Sequence, residues 1–109
     1  MSVPEMPVPE ISVGELAAVL AAGPAVLIDV RQPDEFAEAR VPAARLVPLA
    51  EVPLRLDEIP DGETVYLICR SGGRSLNAAQ FLAQSGREAV NVTGGTLAWI
   101  QGGHEVVSG

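Results

Sequence analysis

The chain has one cysteine, Cys69, and it opens the segment Cys69-Arg70-Ser71-Gly72-Gly73-Arg74-Ser75. The run before it, Thr64-Val65-Tyr66-Leu67-Ile68, is rich in strand-forming residues, and Leu76-Asn77-Ala78-Ala79-Gln80-Phe81-Leu82 after it reads as a helix. A strand turning into a helix through two glycines can wrap its backbone amides inward, because glycine tolerates positive φ and carries no side chain. Amides of residues 70–75, two guanidinium groups and the positive helix end would then surround the sulfur. Such surroundings lower a thiol pKa from about 8.5 into the range of about 3.5–7.5. The reactive form is the thiolate, so Cys69 is the candidate nucleophile. No general base is required, which suits a chain whose only histidine, His104, lies far along the sequence. A Cys–His protease arrangement is correspondingly disfavoured.

The loop suits an anion or a charged sulfur species. Cysteine phosphatases also use a strand, a loop and a helix, with five residues between cysteine and a phosphate-clamping arginine. Here Arg74 follows Cys69 after four residues and position 75 is serine. The ring is one residue too short, and a tighter ring fits a single sulfur atom better than a tetrahedral phosphate.

The elements that would carry this loop follow from the flanking sequence. Ser12-Val13-Gly14-Glu15 has capping-box spacing, and the helix it opens runs to Ala22, where Gly23-Pro24 stops it. Ala25–Val30 is a short apolar run suited to a strand buried on both faces. Gln32–Ala39 begins with Pro33 and two acids, as helix starts do. Arg45–Leu49 reads as a weaker strand, with Pro48 placing it at an edge or near its end. Residues 50–59 read as helical, confined by Pro53 to the part beyond it. Glu88–Val92 is a last strand, and Thr93-Gly94-Gly95 leads to a helical turn around Leu97–Ile100 that Gly102-Gly103 ends. Strands alternating with helices over short connections imply an α/β domain with a mainly parallel sheet. Ligands of such sheets bind beyond the carboxyl ends of the strands, where Cys69 stands.

Composition narrows the partners. The 109 residues suffice for one domain (1–109), with an extended lead-in over residues 1–9 and a short tail over 105–109. A formal charge of −7 argues against nucleic acid or an anionic membrane as partner. Lysine is absent, so all seven basic side chains are arginines, and two of them fall in the Cys69 loop. The lone cysteine forms no internal disulfide, the start carries no signal-peptide pattern, and no apolar stretch spans a bilayer. These features point to the cytoplasm. No cluster has metal-ligand spacing, and neither metal nor cofactor is called for. Trp99 and Phe36 read as packing residues, Ser75 as a helix N-cap and His104 as an exposed tail residue.

Several segments together resemble the rhodanese family of sulfurtransferases. Asp29-Val30-Arg31 followed by Glu35-Phe36 looks like that family's Asp-Val-Arg…Glu-Phe/Tyr motif. The segment from Cys69 to Ser75 is similar to its six-residue active loop, Cys-x-x-Gly-x-Arg followed by Ser or Thr. Asn91-Val92-Thr93-Gly94-Gly95-Thr96-Leu97-Ala98-Trp99 matches its Asn-Leu-x-Gly-Gly-x-x-x-Trp segment. One stretch departs: where the family often has Gly-His-Ile-Pro-Gly-Ala, this chain has Ala39-Arg40-Val41-Pro42-Ala43-Ala44.

The resemblance implies a three-layer domain with a central, mainly parallel sheet of about five strands flanked by helices. It implies that Cys69 takes a sulfane sulfur from thiosulfate or a persulfide and passes it to cyanide or a thiol. Amides of the loop from Arg70 through Ser71, Gly72, Gly73 and Arg74 to Ser75 would stabilise thiolate and persulfide, and Arg74, with Arg70, would attract the anionic donor. Asp29 and Arg31 would brace the strand end as a supporting pair. The loop does not resemble that of mercaptopyruvate sulfurtransferases. The alternative is a sulfur-relay or regulatory module serving a protein partner or a low-molecular-weight thiol. A phosphatase or arsenate reductase of related fold ranks below both.

Overall fold

Five short strands pair in parallel into one sheet: β1 (Glu10–Ile11), β2 (Val26–Asp29), β3 (Arg45–Leu46), β4 (Thr64–Ile68) and β5 (Glu88–Val92). Their spatial order is β1-β5-β4-β2-β3 in this computed structural model, which describes residues 7–109. The first six residues of the expected lead-in lie outside the described residues. Four helices complete the fold: α1 (Val13–Ala22), α2 (Pro33–Glu38), α3 (Gly73–Gln84) and α4 (Gly95–Gln101).

The two-residue period of β4 decides which way the cysteine faces. Val65, Leu67 and Cys69 turn to one side of the sheet, against Ala78, Ala79 and Leu82 of α3. Ile68 and the partly buried Tyr66 turn to the other, with Leu16 of α1 and Trp99 of α4. Helices on both faces make three layers, and the central strands β2 and β4 are buried on both sides as their apolar runs require. Cys69, one residue past β4, thus lies on the α3 side at the carboxyl edge.

Local signals read from the sequence account for most boundaries. Ser12 and Glu15 form a reciprocal capping box at 3.1 Å, and Gly23 caps the end of α1. Pro33 sits in the first turn of α2, and Gly86 follows α3 with φ of 85°. The helix expected within residues 50–59, beyond Pro53, is instead two 3₁₀ turns, Leu49–Leu54 and Leu56–Glu58. Pro53 lies inside the first of them, where it has no N–H and its ring would strike the carbonyl four residues back in an α-helix. Only Arg45 and Leu46 of the weaker strand pair, on the sheet edge, with Pro48 just beyond.

Just after the expected lead-in, Glu10 and Ile11 form β1 and pair with β5. One further expectation changes. His104 does not stand free, because its ring stacks on Trp99 with centroids 4.5 Å apart, while the Trp99 indole donates to the Glu105 carbonyl at 2.7 Å. The tail does add an extended piece, as Val107 bridges Arg40 antiparallel. Arg40, the departure from the usual histidine, fastens this tail. Its guanidinium donates to the carbonyls of Phe36 and Gly109 and lies 4.7 Å above the Phe36 ring.

Candidate active site

Strand β4 ends at Ile68, and the chain wraps around the Cys69 sulfur before entering α3. Gly72 makes the turn with φ of 116°, a conformation that favours glycine. The Gly72 amide donates to Sγ at 3.1 Å, and the Ser75 hydroxyl lies 3.3 Å from it. Burial raises the Cys69 pKa, but bonds from the Ser75 hydroxyl and from the amides of Ser75, Gly72 and Ser71 outweigh it. The net effect is a pKa below the ordinary thiol value.

Ser75 is not the N-cap that its position suggested. Gly72 takes the N-cap position, and Ser75 is buried in the first turn of α3 with its hydroxyl between Sγ and the Gly72 carbonyl, 3.2 Å away. A hydroxyl has a single proton to donate. With a thiolate it points to sulfur; with a thiol it accepts the S–H and turns its own proton to the Gly72 carbonyl. The same carbonyl also receives the Asn91 side-chain amide at 3.3 Å and the Leu76 amide at 3.1 Å.

The two loop arginines occupy different settings. Arg74 forms a bidentate pair with Glu35 of α2, at 2.8 and 2.9 Å. That bond holds the Glu35 carboxyl down to about 2 against the opposing effect of burial, helped by the Gln32 amide and the charges of Arg74 and Arg31. Arg74, expected to attract the anionic donor, thus has its fork filled by a carboxylate from another element. Arg70 is exposed, and its side chain makes no hydrogen bond or ion pair among the described residues. It lines a cleft of about 150 Å³ beside the loop, together with Arg31, Glu35, Glu38, Leu97 and Ile100. Cys69, only 1% exposed, is not among the lining residues, so the cleft lies next to the sulfur and not over it. Ser71 and Gly73 are exposed with Arg70 at the rim of the loop.

Asp29 and Arg31 are both buried, joined by bonds of 2.7–3.0 Å. Arg31 also donates to the carbonyls of Glu35 at 3.2 Å and Ala39 at 2.8 Å, which fastens both ends of α2. The pair thus meets the loop indirectly, through Glu35 and Arg74. Sequence reasoning assigned Glu35 to a helix start, and it does receive the Gln32 amide at 3.1 Å. Its second bond, to a residue 39 positions away, has no local signal.

The segment after β5 also reaches the loop. The Thr96 amide and hydroxyl donate to the Cys69 carbonyl at 2.9 and 3.1 Å, and the Leu97 amide donates to the Arg70 carbonyl at 3.1 Å. A Cβ on Gly95, whose φ is 59°, would come within 2.5 Å of both carbonyl oxygens. Glycine is what permits this approach. Among the described residues, no group of three His, Cys, Asp or Glu side chains is placed to hold a metal, and no helix is long and apolar enough to cross a membrane.

Known proteins share this architecture. The family described as "Rhodanese-like domain" matches residues 12–101. A "Sulfurtransferase" of Allochromatium vinosum is 39% identical over 84 residues, covering 76% of this chain and 78% of that protein. The crystal structure of a rhodanese-like domain protein from Staphylococcus aureus superposes with a TM-score of 0.84 at 33% identity, over 94% of this chain and 99% of the other. A thiosulfate sulfurtransferase from Pseudomonas aeruginosa gives the same TM-score at 31% identity, over 94% of this chain but 20% of that longer one.

Proposed function

Because this chain belongs to the rhodanese-like family, whose relatives here include a named sulfurtransferase, we propose that it moves a sulfane sulfur through a persulfide on Cys69. The Cys69 thiolate attacks the outer sulfur of thiosulfate. A new S–S bond forms, the S–S bond of thiosulfate breaks, and sulfite leaves with the electron pair. An acceptor such as cyanide or a thiolate then attacks the terminal sulfur, and Cys69 departs as thiolate. Persulfide donors enter the same way, with a thiolate as leaving group. The carrying observation is the sulfur held by the Gly72 amide at 3.1 Å and the Ser75 hydroxyl at 3.3 Å in a loop one residue shorter than a phosphate-binding one.

In this reading the amides of Ser71, Gly72 and Ser75 stabilise the charge on sulfur at each step. Arg70 meets the anionic donor, whereas Arg74 keeps the loop docked on α2 through Glu35. Asp29 and Arg31 hold α2 in place for that docking. Thiocyanate formation from thiosulfate and cyanide tests the assignment. Cys69→Ser should abolish it, and activity near that of the unaltered protein would remove Cys69 from the mechanism.

The alternative, a relay that hands sulfur to a dedicated partner, gains weight from the arginine settings. With Arg74 committed to Glu35, and Glu38 lining the cleft beside Arg70, the site presents little net positive charge to a free dianion. Such a protein would form the Cys69 persulfide yet turn over slowly with cyanide.

A further inference from the structure

The Cys69 carbonyl lies in the same residue as the sulfur, and its partial negative charge opposes a thiolate if it turns inward. Here it is drawn outward by two donors of one residue, the Thr96 amide at 2.9 Å and the Thr96 hydroxyl at 3.1 Å. The next carbonyl, that of Arg70, is drawn the same way by the Leu97 amide at 3.1 Å. The described residues contain no cis peptide bond, so each N–H points opposite to the carbonyl of its own peptide unit. Turning the Arg70 carbonyl toward α4 therefore aims the Ser71 amide back into the loop. Thr96 is 2% exposed, at the inner wall of the cleft beside the loop. The amide of residue 96 would be there with almost any side chain; the hydroxyl is specific to this one.

We propose that Thr96 is a positioning residue for Cys69, its hydroxyl anchoring the Cys69 carbonyl away from the sulfur so that the loop presents amides, not carbonyls, to a thiolate. This inference rests on Cys69 being the reactive sulfur, but its readout uses no sulfur donor. Its failure is thus distinguishable from a failure of sulfur transfer.

The test is a pH titration of the thiolate's ultraviolet absorbance, in which Cys69 is the only thiol of the chain and Cys69→Ser supplies the blank for the aromatic residues. Thr96→Val keeps the shape and removes the hydroxyl, and should raise the titration midpoint by about half a unit, roughly three-fold less thiolate below the midpoint. Thr96→Ser restores the hydroxyl and should return the midpoint to that of the unaltered protein. A folded Thr96→Val with an unchanged midpoint would overturn the proposal, as would equal shifts in the Val and Ser variants, which would assign the effect to packing. Should Thr96→Val fail to fold, Thr96→Ala is read by the same criteria.

Discussion

The bond between Glu35 and Arg74 changes what the second loop arginine does. A guanidinium already engaged by both oxygens of a carboxylate, at 2.8 and 2.9 Å, is a strut before it is a receptor for anions. The same bond carries a pH signature. Glu35 is lowered from an ordinary 4.5 to about 2, chiefly by Arg74. A carboxyl depressed in the folded state stabilises the fold fully above 4.5, and that contribution is lost as pH falls toward 2. Both side chains are partly exposed, so Glu35→Gln should cost only about 1 kcal/mol at neutral pH. Denaturant unfolding should show the two proteins converging in stability as pH drops through that window; a difference that stays constant with pH would mean that the Glu35 charge contributes nothing. At this scale the candidate nucleophile and its glycines were plain in the sequence. It hid Glu35 and Thr96, whose partners lie 39 and 27 positions away.

The elements arrange themselves around the carboxyl edge of β4. Alternation along that strand sends Cys69 toward α3, while α2 and the start of α4 hold the loop from outside. Helix starts and stops were legible because caps are local: Ser12 with Glu15, Pro33, and Gly86 act within a few residues. Residues 50–59 read as helical beyond Pro53, yet they form only short 3₁₀ turns, the first of which holds Pro53. β1 is too short for a periodic signal and exists through its pairing with β5. The altered stretch around Arg40 acquires a structural role as the clasp between α2 and the tail. Arg40→Ala should lose two hydrogen bonds and the contact with the Phe36 ring, about 1–2 kcal/mol of local stability. Hydrogen exchange of the Val107 and Gly109 amides should quicken while sulfur transfer persists; unchanged exchange would show that the clasp rests on the backbone bridge alone.

Across the whole molecule, an acidic chain of formal charge −7 would serve a dianionic donor. Long-range repulsion is screened by salt over a Debye length of about 8–10 Å, whereas close attraction by Arg70 is screened less. The second-order rate constant with thiosulfate should therefore rise with ionic strength, by about two-fold or more between low and physiological salt. Arg70→Ala should lower that constant at every salt concentration, and a rate that falls with salt would show local attraction to dominate. The α/β architecture was legible as a whole, because alternating apolar runs and helix starts leave few alternatives for a chain of this size. The division of labour between the two loop arginines was not, since it depends on which of them α2 can reach. All of this turns on one sulfur atom. Mass spectrometry of the intact protein after thiosulfate exposure, and again after cyanide, follows that atom directly. The account predicts a gain of one sulfur mapped to Cys69 and its loss on cyanide addition. A protein that gains no sulfur, or gains it elsewhere, would contradict it.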